Sequence, residues 1–120
     1  MIRLVCGLLA LSVLSVANGA ADATPLVRQV WQLLDYMAVD YAGAVSGGEI
    51  TNAAEFAEMR EFAATIHQRI QSLPPHPERE ALTEQSAALQ AAVIRHAPAV
   101  EIEDLAHKTD HETATEKRWW

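Results

Sequence analysis

The sequence is nearly free of cysteine. Its single one, Cys6, lies in an N-terminal apolar stretch that has the make-up of a secretory signal. Arg3 gives that stretch a positive start, and Leu4 to Val16 is apolar apart from Gly7, Ser12 and Ser15. Small residues follow. Gly19 and Ala21 stand at the spacing a signal peptidase accepts, as do Ala17 and Gly19. The run is too short to span a bilayer comfortably, because a spanning helix needs about 20 apolar residues. Residues 1–21 are therefore expected to be a signal peptide, and the chain is expected in the periplasm. Retention of the segment would make it a membrane anchor. Once Cys6 is removed, disulfides, thiolate zinc sites, iron–sulfur clusters and a cysteine nucleophile are all excluded. There is no C-x-x-C-H, so covalent c-type haem is excluded as well.

Basic charge is also scarce. Nine Lys and Arg face sixteen Asp and Glu, for a net charge of −7. Loss of Arg3 with the signal makes the balance one unit more acidic. Such a chain is not drawn to nucleic acid or to anionic lipid. No small-molecule substrate is evident either. Nucleophilic catalysis finds no support, since Ser46, Ser72 and Ser86 lack the glycines of a nucleophile elbow. No Gly-rich phosphate loop follows a strand, and strand-like alternation is missing altogether. The chain is expected not to be an enzyme.

What the sequence does have is helical periodicity. Thr24 and Pro25 suit a helix start. Leu26, Val27, Val30, Leu33, Leu34, Met37 and Tyr41 then make one apolar stripe, which Gly43 can end, and Gly47-Gly48 marks a turn. Asn52 and Glu55 form an N-x-x-E start, close to a capping box. The stripe behind it is Phe56, Met59, Phe62, Ala63, Ile66, Ile70 and Leu73, stopped by Pro74-Pro75. A third helix is expected from about Glu78 to His96, with the thinner stripe Leu82, Leu89, Ala92 and Val93, broken by Pro98.

The expected fold is all-α, an antiparallel three-helix bundle over residues 22–98. The stretch from Glu101 to Lys108 is open to forming a short fourth helix. Residues 99–120 otherwise read as a polar, poorly ordered tail: nine of the twenty from 101 onward are charged, and Trp119-Trp120 ends it.

His107 and His111 are the candidate metal ligands. Imidazoles four apart share a helix face and can chelate one ion, with Asp104, Asp110 or Glu112 nearby to complete the set. A solvated tail is the plainer reading of the same residues. His67, His76 and His96 are isolated in sequence, and His96 suits a helix C-terminus. Glu55 is explained by capping, while Glu58 and Glu61 belong on a water-facing side. The Asp35-Tyr36 and Asp40-Tyr41 pairs place Tyr41 on the stripe and Asp40 at its edge, where an Asp is expected to need a structural partner.

Four stretches carry a resemblance: Gln32 to Tyr41, then Gly43-Ala44-Val45, then Asn52 to Met59, then Glu61-Phe62-Ala63. In order and spacing they resemble the N-terminal extracytoplasmic region of bacterial iron permeases of the high-affinity iron transporter family. The closest likeness is to members with a cytochrome c module fused ahead of the membrane domain. The resemblance covers residues 25 to 96 and is lost after about Pro98. It implies a soluble helical domain that supports iron transport, with a membrane iron permease or a cytochrome c module as partner. The family's Arg-Glu-x-x-Glu motif is not completed here. Arg60-Glu61 is followed by Ala64, and Arg79-Glu80 by Thr83. No iron ligand carries over to these positions. No cofactor is expected in this chain, and iron enters only through the resemblance. The alternative expectation is a free-standing periplasmic module that binds a protein or a metal ion.

Overall fold

The computed structural model describes residues 24–115. The signal-peptide expectation for 1–21 and the terminal Trp119-Trp120 lie outside them. Helix α1 runs Thr24–Ala44, α2 Ala53–Gln71, α3 Arg79–Ile94 and α4 Ala99–Thr115. Helix α1 packs on α2 and α4, and α3 packs on the same two, which closes a four-helix ring. Short connections make sequential neighbours antiparallel.

The fold is thus a four-helix bundle, not the expected three-helix one. The fourth helix is also not short. Its α4 occupies most of the region read as a tail. The reason lies in its buried face. Ile102 and Ala106 are fully or almost fully buried, Thr109 is fully buried, and Leu105 packs at the edge. Spacings of four and three make this a stripe one residue wide, which dense charge on either side hides. Thr109 can join it because its Oγ1 donates to the Leu105 carbonyl at 2.9 Å, one turn back. Burying Ile102 alone stabilises the docked helix by about 2 kcal/mol.

The first two stripes are observed as expected. Val27, Val30, Leu34, Met37 and Tyr41 of α1 meet Phe56, Met59, Ala63, Ile66 and Ile70 of α2 in one core. Leu26, Leu33 and Phe62 sit partly buried at its margin. Gly43 does not end α1, which continues to Ala44. A Cβ there would lie 2.8 Å from the carboxylate at the end of the flexible Glu55 side chain, which can shift aside.

Between α1 and α2 the structure has a feature the sequence reading lacked. Strands β1 (Val45–Ser46) and β2 (Glu49–Ile50) pair antiparallel in a tiny hairpin. Gly47 and Gly48 form its turn at φ of 59° and 79°. Two successive positive φ values are what a primed hairpin turn needs, and glycine supplies them without strain.

The N-terminus of α2 forms half of the expected capping box. The Glu55 amide donates to Asn52 Oδ1 at 3.1 Å. The Asn52 amide donates to the Ala44 carbonyl at 3.4 Å instead, leaving the Glu55 carboxylate over Gly43. Helix α3 has no side-chain cap from Glu78. His76 Nδ1 serves there, accepting the Glu78 amide at 3.1 Å.

Candidate functional site

One group of polar side chains with tertiary roles gathers at the hairpin end of the bundle. There the α3–α4 connection lies against α1 and α2. Helix α3 ends in a Schellman motif: the Ala97 amide donates to the Ala92 carbonyl at 2.9 Å, and the His96 amide to that of Val93 at 3.1 Å. The residue that must turn left-handed is His96, at φ 57°. Glycine normally takes this position, although histidine is among the residues that tolerate it. The compensation is a contact. The His96 ring meets Phe56 edge-on, with centroids 5.0 Å apart and planes at 89°.

One residue further, the Ala97 carbonyl accepts a 2.7 Å hydrogen bond from the Tyr41 hydroxyl. Tyr41 is 1 % exposed, so this bond is buried and joins helix α1 to the chain 56 residues on. Burial pushes the Tyr41 phenol above its ordinary value of 10.0. Arg95 pulls the other way, and Glu101 adds a smaller push upward. The phenol therefore stays protonated and stays a donor well past neutral pH. Arg95 and Glu101 form an exposed bidentate ion pair over the same turn. That hydrogen bond is the chief reason the Arg95 guanidinium lies above its ordinary value. Exposed pairs of this kind contribute little stability.

A second polar cluster lies between α2 and α3. His67 Nδ1 is 2.8 Å from Ser86 Oγ, and Ser86 donates to the Thr83 carbonyl at 3.0 Å. Which of the two donates between His67 and Ser86 depends on the imidazole tautomer. Ser86 is fully buried. The pair is a way of satisfying a buried hydroxyl. Sequence reasoning missed it because nothing links two residues nineteen positions apart until the helices are docked.

The candidate ligands and acids fall as follows. His107 is exposed on α4, beside the Lys108–Asp104 ion pair of 3.4 Å. His111 belongs to the same helix, but its side chain lies outside the described residues, as do those of Asp110 and Glu112. Among the described residues, no three His, Cys, Asp or Glu side chains come together to hold a metal ion. Glu58 and Glu61 are exposed, as expected for a water-facing side. Asp40 is exposed too, so water solvates it and the structural partner expected for it is not needed. No helix among the described residues is long and apolar enough to cross a membrane.

The surface also carries unburied apolar groups. Val39 is 76 % exposed, Val100 73 % and Ile94 59 %. Ile94 borders an open groove of about 540 Å³ between α2 and α3, together with Ala57, Arg60, Glu61, Ala64 and Gln90.

Residues 19–117 match the family described as the iron permease-associated 4-helix bundle domain. The chain belongs to that family. The match takes in all four helices and runs past the end of α4, so the family likeness does not stop near Pro98 as the sequence reading had it. No curated protein and no solved structure matches the chain. An iron permease-associated bundle is an accessory helical domain, and the match indicates no catalytic family. At the hairpin end, Tyr41 and His96 hold the α3–α4 connection against α1 and α2.

Proposed function

We propose that this bundle is an exported, periplasmic accessory domain that supports iron uptake by docking to a membrane iron permease. The observation that carries the reading is the family match across all four helices. The signal-like composition of residues 1–21 supports export. The likeness of Gln32 to Ala63 to permeases with a fused cytochrome c module supports such a module as a second neighbour. In this reading the bundle contributes shape and surface to the assembly, and iron is cargo handled elsewhere. Co-purification tests it. A tagged full-length chain is expressed beside an iron permease from the same genome, and membranes are solubilised in mild detergent. The permease is expected to elute with the tagged chain. Elution of the chain alone, with the permease intact in the flow-through, contradicts the reading.

One observation favours a second reading, in which the module binds a metal ion. Helix α4 is continuous through His107 and His111, which sets the two residues one turn apart on one helix. Asp104 lies a turn before His107 and would have to leave Lys108 to join them. Zinc or iron titration by calorimetry separates the readings. Stoichiometric binding that is lost in both His107→Ala and His111→Ala favours the metal module. Binding indifferent to both removes it.

A further inference from the structure

The four helices are not held equally. Helices α1, α2 and α3 each bury several large apolar side chains, among them Leu34 and Tyr41, Ile66 and Ile70, and Leu82 and Leu89. Helix α4 buries Ile102, with only Ala106 and Thr109 beside it at full depth. From Asp110 to Thr115 its sequence has no large apolar residue. Alanine and threonine supply little of the burial that docks a helix. Charge also works against α4. It carries five Asp and Glu against one Lys, in a chain of net charge −7 that repels further acid.

The connection ahead of α4 has the make-up of a pivot. On its near side the Ala97 amide returns to the Ala92 carbonyl, and the Ala97 carbonyl is held by the Tyr41 hydroxyl. On its far side the Glu101 and Ile102 amides turn to the Pro98 carbonyl, at 3.0 and 3.3 Å. Pro98 has no amide to bond back across the divide. The Arg95–Glu101 pair does cross it, but that pair is exposed, and exposed pairs hold weakly.

We infer that α4 opens as a unit about the Ala97–Pro98 link while α1, α2 and α3 stay folded. Opening bares the sides of α1 and α3 that α4 covers. The chain thus keeps an apolar surface in reserve that only the open form presents. The open form is a rare excursion from the closed bundle, so urea still melts the four helices together. The inference does not depend on the permease reading.

Native-state hydrogen exchange of the purified chain, read at single amides by NMR, tests it. Amides from Leu105 to Thr109 are expected to exchange about tenfold or more faster than the slowest amides of α1, α2 and α3. Two variants separate this opening from global unfolding. Ile102→Ala is expected to speed exchange in α4 by about a hundredfold. Phe62→Ala acts away from α4, where the Phe62 ring meets Tyr36 of α1 at 6.1 Å between centroids. It is expected to speed the slowest amides of α1, α2 and α3 by about tenfold and to leave α4 unchanged. Amides of α4 as slow as the slowest of the other helices overturn the inference. So does a Phe62→Ala variant that speeds all four helices alike, since the bundle then opens only as a whole. Exchange in α4 at the rate of an unfolded peptide also overturns it, because the helix is then not docked at all.

Discussion

The two ends of the bundle are held by different kinds of bond. At the hairpin end, Tyr41 reaches Ala97 across 56 positions, and Phe56 meets His96 across forty. At the opposite end, His76 accepts from the Glu78 amide two residues on, Arg79 Nη1 donates to the Leu73 carbonyl six residues back, and Ser72 donates to the Gln68 carbonyl. These polar bonds join distant helices at the first end and stay within the α2–α3 connection at the second. Removing the first should therefore destabilise the whole bundle, while removing the second should only loosen a loop.

Tyr41→Ala should give the largest loss, about 4 kcal/mol, because it empties a fully buried aromatic site and orphans the Ala97 carbonyl. Urea denaturation measures it, and a loss under about 1 kcal/mol would erase the contrast between the ends. Ile102→Ala should cost about 3 kcal/mol if α4 belongs to the same cooperative unit. His107→Ala on the exposed side of the same helix should stay within about 0.5 kcal/mol. Equal effects of these two would mean that α4 is not docked by its Ile102 stripe.

His96 offers a sharper pair. His96→Ala keeps the left-handed backbone and loses the ring contact, and should cost about 1 kcal/mol. His96→Gly loses the same contact but relieves the backbone, and should come out close to neutral. If alanine and glycine are equally destabilising, the positive φ carries no strain. The smallest effect is expected at the opposite end, where His76→Ala removes a cap worth about 1 kcal/mol at most.

The hairpin end should also respond to base. The Tyr41 phenol holds its proton more tightly in the folded chain than the ordinary value of 10.0. Its contribution is therefore complete below pH 10, and is lost as pH rises from there through the folded value. Tyr41→Phe should remove that part of the alkaline decline, which thermal melts between pH 9 and about 11 would register.

Local signals were legible at both ends. Pro74-Pro75 marks the stop of α2, Asn52 its start, and both apolar stripes of the first two helices can be read from spacing alone. The long-range contacts of the hairpin end were opaque. Nothing around Tyr41 names Ala97 as its partner, and His96 stands where a glycine would have signalled a helix end. Helix α4 was hidden for a related reason. Its buried face uses alanine and threonine beside Ile102, residues whose burial follows from the neighbours they meet and not from their own hydrophobicity. The candidate site was less legible still. The His107 and His111 spacing is visible in the sequence, whereas the groove between α2 and α3 exists only once the two helices lie side by side.

The bundle is proposed to serve an iron permease. The most direct test of that proposal is radiolabelled iron uptake at low external iron, in cells that carry the permease with and without this chain. Uptake should fall severalfold when the chain is deleted, return with the wild type, and return only in part with Tyr41→Ala, whose bundle is destabilised. Unchanged uptake on deletion, with the permease present at its normal level, would contradict the claim.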